Sequence, residues 1–302
     1  MTVTCSQMIY ETQGLLSSWS FDESQSTSLG AALGVSDTAF TVSTPRGIAT
    51  GVSPGIVEID QELMYCDSVN QSGNVTIVPW GRGYLGTTPA AHSAGARVVS
   101  QPTFPRYWTM QAMNEVMERI FPMVFAVKQV ELTTTFPKIT YQLPPDAQWV
   151  LGARWQLPDG RLYWQSIRRW RMSPGGGTQF GDQGVTVDVA DSMIPGRPIQ
   201  FLYAAKPGLF TAETDDFTTV TGLNLGIRDV VTLGAAAQMT TSQELSRLQV
   251  SSVEQQNRSQ LVAPSAALTS SRFLEQRFQE RLMEERRSLQ RLYPPRITGV
   301  WI

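Results

Sequence analysis

The chain has 302 residues, 41% hydrophobic and 17% charged, with a formal net charge of −2, two cysteines and a single histidine. That length fits about two domains, and the charge argues against a general coat for nucleic acid. Cys5, Cys66 and His92 are too few for a disulfide framework or a four-ligand zinc site, so the cysteines read as small buried hydrophobes and no cofactor is expected.

The opening run MTVTCSQMIYETQ has neither the basic nor the apolar stretch of a secretory signal, and no later run reaches the roughly 18 apolar residues of a membrane span. Cytoplasmic synthesis and no membrane partner are the expectations. Thr4-x-x-Gln7 reads as a capping box, and Met8, Ile9, Leu15, Leu16 and Trp19 recur at helical spacing, which predicts one short helix in residues 1–20. FDESQSTSLGAALG follows as a polar, glycine-rich loop.

Residues 21–102 read as a small β-barrel-like module. Phe40 and Val42, Val57 and Ile59, and Leu63 and Tyr65 each alternate with polar neighbours, and Asn70 to Asn74 forms a turn. The period then changes to that of a linking helix within 103–126. There Trp108, Ala112 or Met113, Val116, Met117 and Ile120 share a face and Pro122 ends the element. Residues 127–209 return to a period of two. Ile139, Tyr141 and Leu143 share one parity; so do Trp149, Leu151, Ala153, Trp155 and Leu157, which lead into the turn Pro158-Asp159-Gly160. Val185, Val187 and Val189, then Ile199, Phe201 and Tyr203, complete a predicted β-sandwich. Residues 210–262 are expected to be helical, and 263–302 a second helix with an extended apolar tail. In that helix Leu274, Phe278, Leu282, Leu289 and Leu292 make a stripe. The fold class is therefore α+β, β-rich: a small β-barrel-like module plus a β-sandwich, with connecting and C-terminal helices.

Patterns that suggest catalysis fail on their chemistry. Gly51-Val52-Ser53-Pro54-Gly55 matches G-x-S-x-G, but Pro54 has no N–H to offer an oxyanion. Gly175-Gly176-Gly177 lacks the Lys-Ser or Lys-Thr of a phosphate loop. Asp215-Asp216 and Glu284-Glu285 are adjacent in sequence, so each pair points apart. Trp155, Trp164 and Trp170 interleave with Arg161, Arg168, Arg169 and Arg171, which suits either a glycan platform or strands that bury their tryptophans. The alternation slips between Trp164 and Ile167, which suggests a bulge. His92 has no oriented serine or cysteine partner and reads as a buried imidazole bonded to the backbone of its glycine-rich loop. No enzyme activity is expected.

Glu58-Ile59-Asp60-Gln61-Glu62-Leu63-Met64, then Arg82-Gly83-Tyr84-Leu85-Gly86-Thr87 and His92-Ser93-Ala94-Gly95, resembles a pattern of tailed-bacteriophage virion proteins. It reads loosely I-D-x-E-x-M…R-G-x-x-G-T-x-x-x-x-H-x-x-G. Its expected loop residues here are Arg82, Gly83, Gly86, Thr87, His92 and Gly95, with Thr87 and His92 tying the loop to itself. The later order of helix, sandwich, acidic loop (Glu213 to Asp216) and helix is similar to head-to-tail connector and adaptor proteins of the phage neck. The resemblance implies a ring of twelvefold symmetry, portal and tail-side partners, and transient passage of genomic DNA. The virion neck would be its location. A minor tail or baseplate protein and a host-glycan-binding protein are the alternatives. The expected partner interface is Leu274, Phe278, Arg281, Leu282, Arg286, Leu289, Ile297, Val300 and Trp301. Its segment carries seven Arg against four Glu, a charge that suits an acidic neighbour.

Overall fold

The computed structural model describes residues 2–16, 26–45, 55–135, 140–157, 163–174, 185–191, 193–254 and 264–294. Trp19, residues 51–54, Ile139, the turn at 158–160, Arg161, the glycines at 175–177 and the tail residues Ile297, Val300 and Trp301 lie outside them. The protein is mixed α+β, with strands and helices each making up 33%. It divides into two compact units, Ser6–Met113 with Thr232–Glu275, and Met1–Cys5 and Asn114–Val231 with Gln276–Ile302.

In the first of these, helix α1 (Cys5–Leu16) leads into a sheet of β1 (Ser26–Ser28), β2 (Ala39–Thr41), β3 (Gly55–Ile59), β4 (Glu62–Val69), β5 (Asn74–Ile77) and β6 (Arg97–Ser100). Met8, Ile9 and Leu16 of α1 are buried, whereas Leu15, predicted to join them, is exposed. The strand order is β1-β6-β3-β4-β5-β2, curled into a half-barrel. Its two edges are stitched together: Gly30 N–H donates to Thr41 O at 2.7 Å and Ser43 N–H to Ser28 O at 2.9 Å. Strand β1 lies in the run expected to be a loop. Its sequence, Ser-Thr-Ser, carries no apolar alternation, and its register is supplied by β6, with Thr27 opposite Val98. Leu29, Leu33, Phe40, Val57, Ile59, Met64, Cys66, Val75 and Val98 fill the concave core.

Both cysteines are free and buried, and burial pushes the Cys66 thiol up to about 12. The Cys66 thiolate does not form at neutral pH, and both thiols sit where reagent is excluded. Native protein should therefore resist a chromogenic disulfide reagent at pH 8 and release both thiols only in denaturant. Rapid native reaction of either cysteine would contradict this burial.

Helix α2 (Arg106–Ile120) occupies the predicted span. Met113, Val116, Met117 and Ile120 are buried, but Trp108 faces solvent, against expectation. Glu58 accepts from the Arg106 N–H at the start of α2, where a carboxylate also meets the positive end of the helix dipole.

The other unit encloses one core between two sheets. Strands β7 (Ala126–Thr133), β9 (Ala147–Gln156), β10 (Trp164–Ser166) and β13 (Pro198–Ala205) form one sheet; β8 (Thr140–Gln142), β11 (Trp170–Pro174) and β12 (Val185–Val189) form the other. Tyr141 of β8 and Phe201 of β13 meet across the core, with ring centroids 5.7 Å apart. Two expectations of alternation are corrected here. Along β9 the register against β13 shifts twice, so Val150 enters the core in place of Trp149 and Leu151, and Trp149 packs on Phe121 and Phe125 instead. The slip after Trp164 is a change of sheet rather than a bulge. The chain leaves β10 in the four-stranded sheet, buries Ile167 at the corner, and enters β11 in the three-stranded one.

Next comes α3 (Phe217–Thr221), a short helix within the segment expected to be helical. Asp216 caps it by accepting from Thr219 N–H at 2.9 Å, and Asp215 accepts from Thr211 and Ala212 N–H. The carboxylates of the acidic loop thus shape a turn and a cap. Helices α4 (Arg228–Glu254) and α5 (Pro264–Leu292) follow. Arg281 bonds Asp229 at 2.6 Å, and the Thr241 and Ser271 hydroxyls lie 3.1 Å apart, so the residue numbers rise along α4 as they fall along α5. The two helices run antiparallel. Among the described residues no helix is long and apolar enough to cross a membrane.

Candidate functional site

Arg82, Gly83, Ala90 and His92 of the glycine-rich loop meet at one carboxylate, that of Glu62. Strands β3 and β4 form a hairpin joined by Asp60 and Gln61, with Asp60 at a φ of 53°. The hairpin turn therefore sets Asp60 and Glu62 on the same side, two residues apart. The Glu62 side chain has no solvent exposure and accepts from five N–H groups. Its Oε1 receives Arg82 Nε at 2.7 Å and Gly83 N at 3.0 Å. Its Oε2 receives Arg82 Nη2 at 3.0 Å, Ala90 N at 2.9 Å and His92 Nε2 at 2.9 Å. Arg82 also reaches out of the pair, donating from Nη1 to Gly34 O at 2.7 Å and from Nη2 to Ala90 O at 2.6 Å. One planar guanidinium thus joins β4, the loop after β5 and the segment before β2, which a lysine could not do.

His92 stands between two carboxylates. Nδ1 faces Asp60 Oδ2 at 2.8 Å while Nε2 faces Glu62, and the side chain is 1% exposed. Ionised carboxylates only accept, so both ring nitrogens must carry protons and the ring is an imidazolium. Burial alone would lower its pKa, but hydrogen bonds and charge from Asp60 and Glu62 override that and raise it to about 9. The same competition runs in reverse at Glu62. Burial would raise its pKa, and the bonds from His92, Arg82, Ala90 and Gly83 bring it to about 2. His92 was expected to bond loop backbone with its ring. Its main chain does so, exchanging two bonds with Leu33, but the ring is given to carboxylates. A protonated imidazole with both nitrogens engaged has no lone pair with which to act as a base.

Thr87 plays its expected part and one more. Its hydroxyl donates to Tyr84 O at 2.9 Å within the loop, and accepts from Leu63 N–H at 3.1 Å, fixing the loop to β4. Gly83 sits at a φ of 62°, and a Cβ there would lie 2.8 Å from both Thr87 O and Pro89 Cδ. Only glycine fits that close approach in a left-handed conformation. Gly86 and Gly95 are also left-handed, both at 83°. Gly95 N–H donates to Leu29 O.

On the outer side of this clasp the loop shows aromatics. Trp80 stacks on Tyr65 at 5.1 Å and 18°, and Tyr84 lies 5.1 Å from Tyr65. Asp60, Glu62 and this cluster had no role assigned from sequence. One signal was present: an arginine and a histidine in an otherwise uncharged loop call for two acids, and D-x-E supplies them.

The expected interface on α5 is partly used by the chain itself. Phe278 and Leu282 are 1% exposed, and the Arg119 guanidinium lies 4.9 Å over the Phe278 ring. Arg281 is held by Asp229, Glu284 and Glu285. These three are therefore engaged within the chain itself. Leu274 and Leu289 are half-buried, and Arg286 is exposed. Trp155 and Trp170 are core residues, which removes two of the three tryptophans of a glycan platform. Trp164 remains half-buried under Arg154, whose guanidinium lies 5.4 Å from the ring.

Among the described residues no group of three or more His, Cys, Asp or Glu is arranged to hold a metal ion. Neither a protein-family model nor a curated protein matches the chain.

Proposed function

We propose that this protein is a structural component of a tailed-phage virion, and within the particle a connector or adaptor ring of the neck, joining portal to tail around the DNA passage. One observation carries the reading. Within 33 residues of the virion-protein pattern, Arg82, Gly83 and His92 bond the buried Glu62 carboxylate, Asp60 holds the other ring nitrogen of His92, and Thr87 ties the same loop to β4. A pattern whose members serve one physical purpose is a module and not a chance of composition. That purpose is to hold a loop rigid for presentation to a neighbour. The order of half-barrel, helix, two-sheet core and paired helices supports the narrower neck assignment.

The test is electron-microscopic class averaging of the purified protein, with and without residues 268–302, and antibody labelling of virions. Closed rings, twelvefold by the family resemblance, and label between head and tail are expected. Label confined to the tail tip would move the protein to the baseplate, and label absent from virions would end the reading.

A further inference from the structure

The net charge of −2 is unevenly spread. Residues 286–302 carry four Arg and no Asp or Glu, so the rest of the chain stands at −6. Three of the four, Arg286, Arg287 and Arg291, are exposed near the C-terminal end of α5, and Arg296 lies outside the described residues. Arginines earlier in the helix are used within the chain. Arg277 pairs with Glu280, and Arg281 takes Asp229, Glu284 and Glu285. That leaves Arg286, Arg287 and Arg291 with no acidic partner among the described residues. Arg287 and Arg291 stand one turn apart, where like charges repel and weaken a helix. One basic residue in the last turn complements the helix dipole; three exceed that need.

We propose that this end of α5 binds the phosphate backbone of a double-stranded nucleic acid. From Arg286 to Arg291 the exposed positions are Arg, Arg, Ser, Gln and Arg, with Leu289 half-buried. A protein partner is gripped by apolar or aromatic anchors within a polar rim, and a single strand by aromatic platforms; this stretch exposes neither. Guanidinium forks match phosphate, and serine and glutamine side chains bond it too. The three arginines spread over about 140° of the helix circumference, and exposed Leu292 lies roughly opposite the middle of that arc. An acidic protein surface offers separate carboxylates in fixed places. A duplex carries a charge about every 1.7 Å of its axis, and so meets guanidinia spread over such an arc. The acidic remainder of the chain repels a polyanion, which confines the contact to this end. The contact rests on the neck reading only for where a duplex would be met; the patch itself stands on the placement of charge.

The test is fluorescence anisotropy of a labelled DNA duplex of arbitrary sequence, titrated with the full chain at about 50 and about 200 mM salt. It is repeated with Arg286→Gln/Arg287→Gln/Arg291→Gln, and with a control of equal charge, Arg168→Gln/Arg171→Gln/Arg272→Gln, at exposed positions elsewhere. Three phosphate contacts should make wild-type binding about fortyfold weaker at the higher salt. The patch variant should bind at least roughly tenfold more weakly at the lower salt and lose most of the salt dependence, while the control stays within about twofold of wild type. The Tm of the patch variant should match the wild type, because glutamine suits a helix as well as arginine and no partner is lost. Poly-glutamate at equal charge should displace the duplex poorly. Duplex left unbound by the wild type at the lower salt, or equal weakening in the two variants, overturns the proposal. Ready displacement by poly-glutamate also overturns it, by assigning the patch to an acidic protein. None of these outcomes bears on rings or virion label, and failure of the neck reading leaves duplex binding to be measured in the same way.

Discussion

Glu62→Ala is expected to destabilise the half-barrel by about 3–5 kcal/mol, the usual cost of removing one partner from a buried ion pair. The loss is large because four groups are stranded together. The Arg82 guanidinium, the His92 imidazolium and the main-chain N–H groups of Gly83 and Ala90 all face the vacated position. Each then stays buried without its acceptor. The Tm of this unit should fall by roughly 10 °C, read by near-ultraviolet circular dichroism from the Tyr65–Trp80 stack. Glu62→Gln keeps the shape and one acceptor oxygen but turns an N–H₂ group toward donors, so it should fall between the two. A Glu62→Ala melt that overlays the wild type would show the clasp to be dispensable.

The pH dependence of stability should be that of a group with a raised pKa at one end and a lowered one at the other. His92 moves from 6.5 to about 9 on folding. Its contribution is fully present below pH 6.5 and is lost as pH rises through 9. Glu62 moves from 4.5 to about 2, so its contribution is present above pH 4.5 and is lost as pH falls through 2. The unit should be most stable between those unfolded-state values, from pH 4.5 to 6.5. The alkaline limb should cost about 3 kcal/mol by proton linkage. The same pair interaction underlies both limbs, so the two are not summed. Denaturant titrations at pH 6 and pH 9.5 would measure it, and His92→Gln should flatten the alkaline limb. An equal slope in that variant would assign the loss to other groups.

How far these features were legible in sequence depends on the range of the force behind them. Helix α2 could be delimited because Met113, Val116, Met117 and Ile120 repeat at the helical period and Pro122 stops it. The core of β13 was equally plain from Ile199, Phe201 and Tyr203. Strand β1 was not, because an edge of Ser-Thr-Ser takes its structure from β6, about seventy residues away. Alternation along β9 failed because two extra residues reset its parity, and nothing local marks them. Trp108 reads as apolar but lies on the solvent face of its helix. The clasp was half visible: its glycines, threonine and histidine stood out as a motif. Glu62, its centre, looked like one more charge in a half-buried hairpin, since pairing at separations of 20 and 30 residues leaves no periodic trace.

The stitched seam of the half-barrel has a consequence for crowding. With Gly30 bonded to Thr41 and Ser43 to Ser28, the main-chain groups of both borders are partly satisfied within the fold. At high concentration the protein then offers less template on which a foreign strand could be laid down. Any contact made at these borders falls to side chains, which can be specific, rather than to the peptide backbone, which cannot.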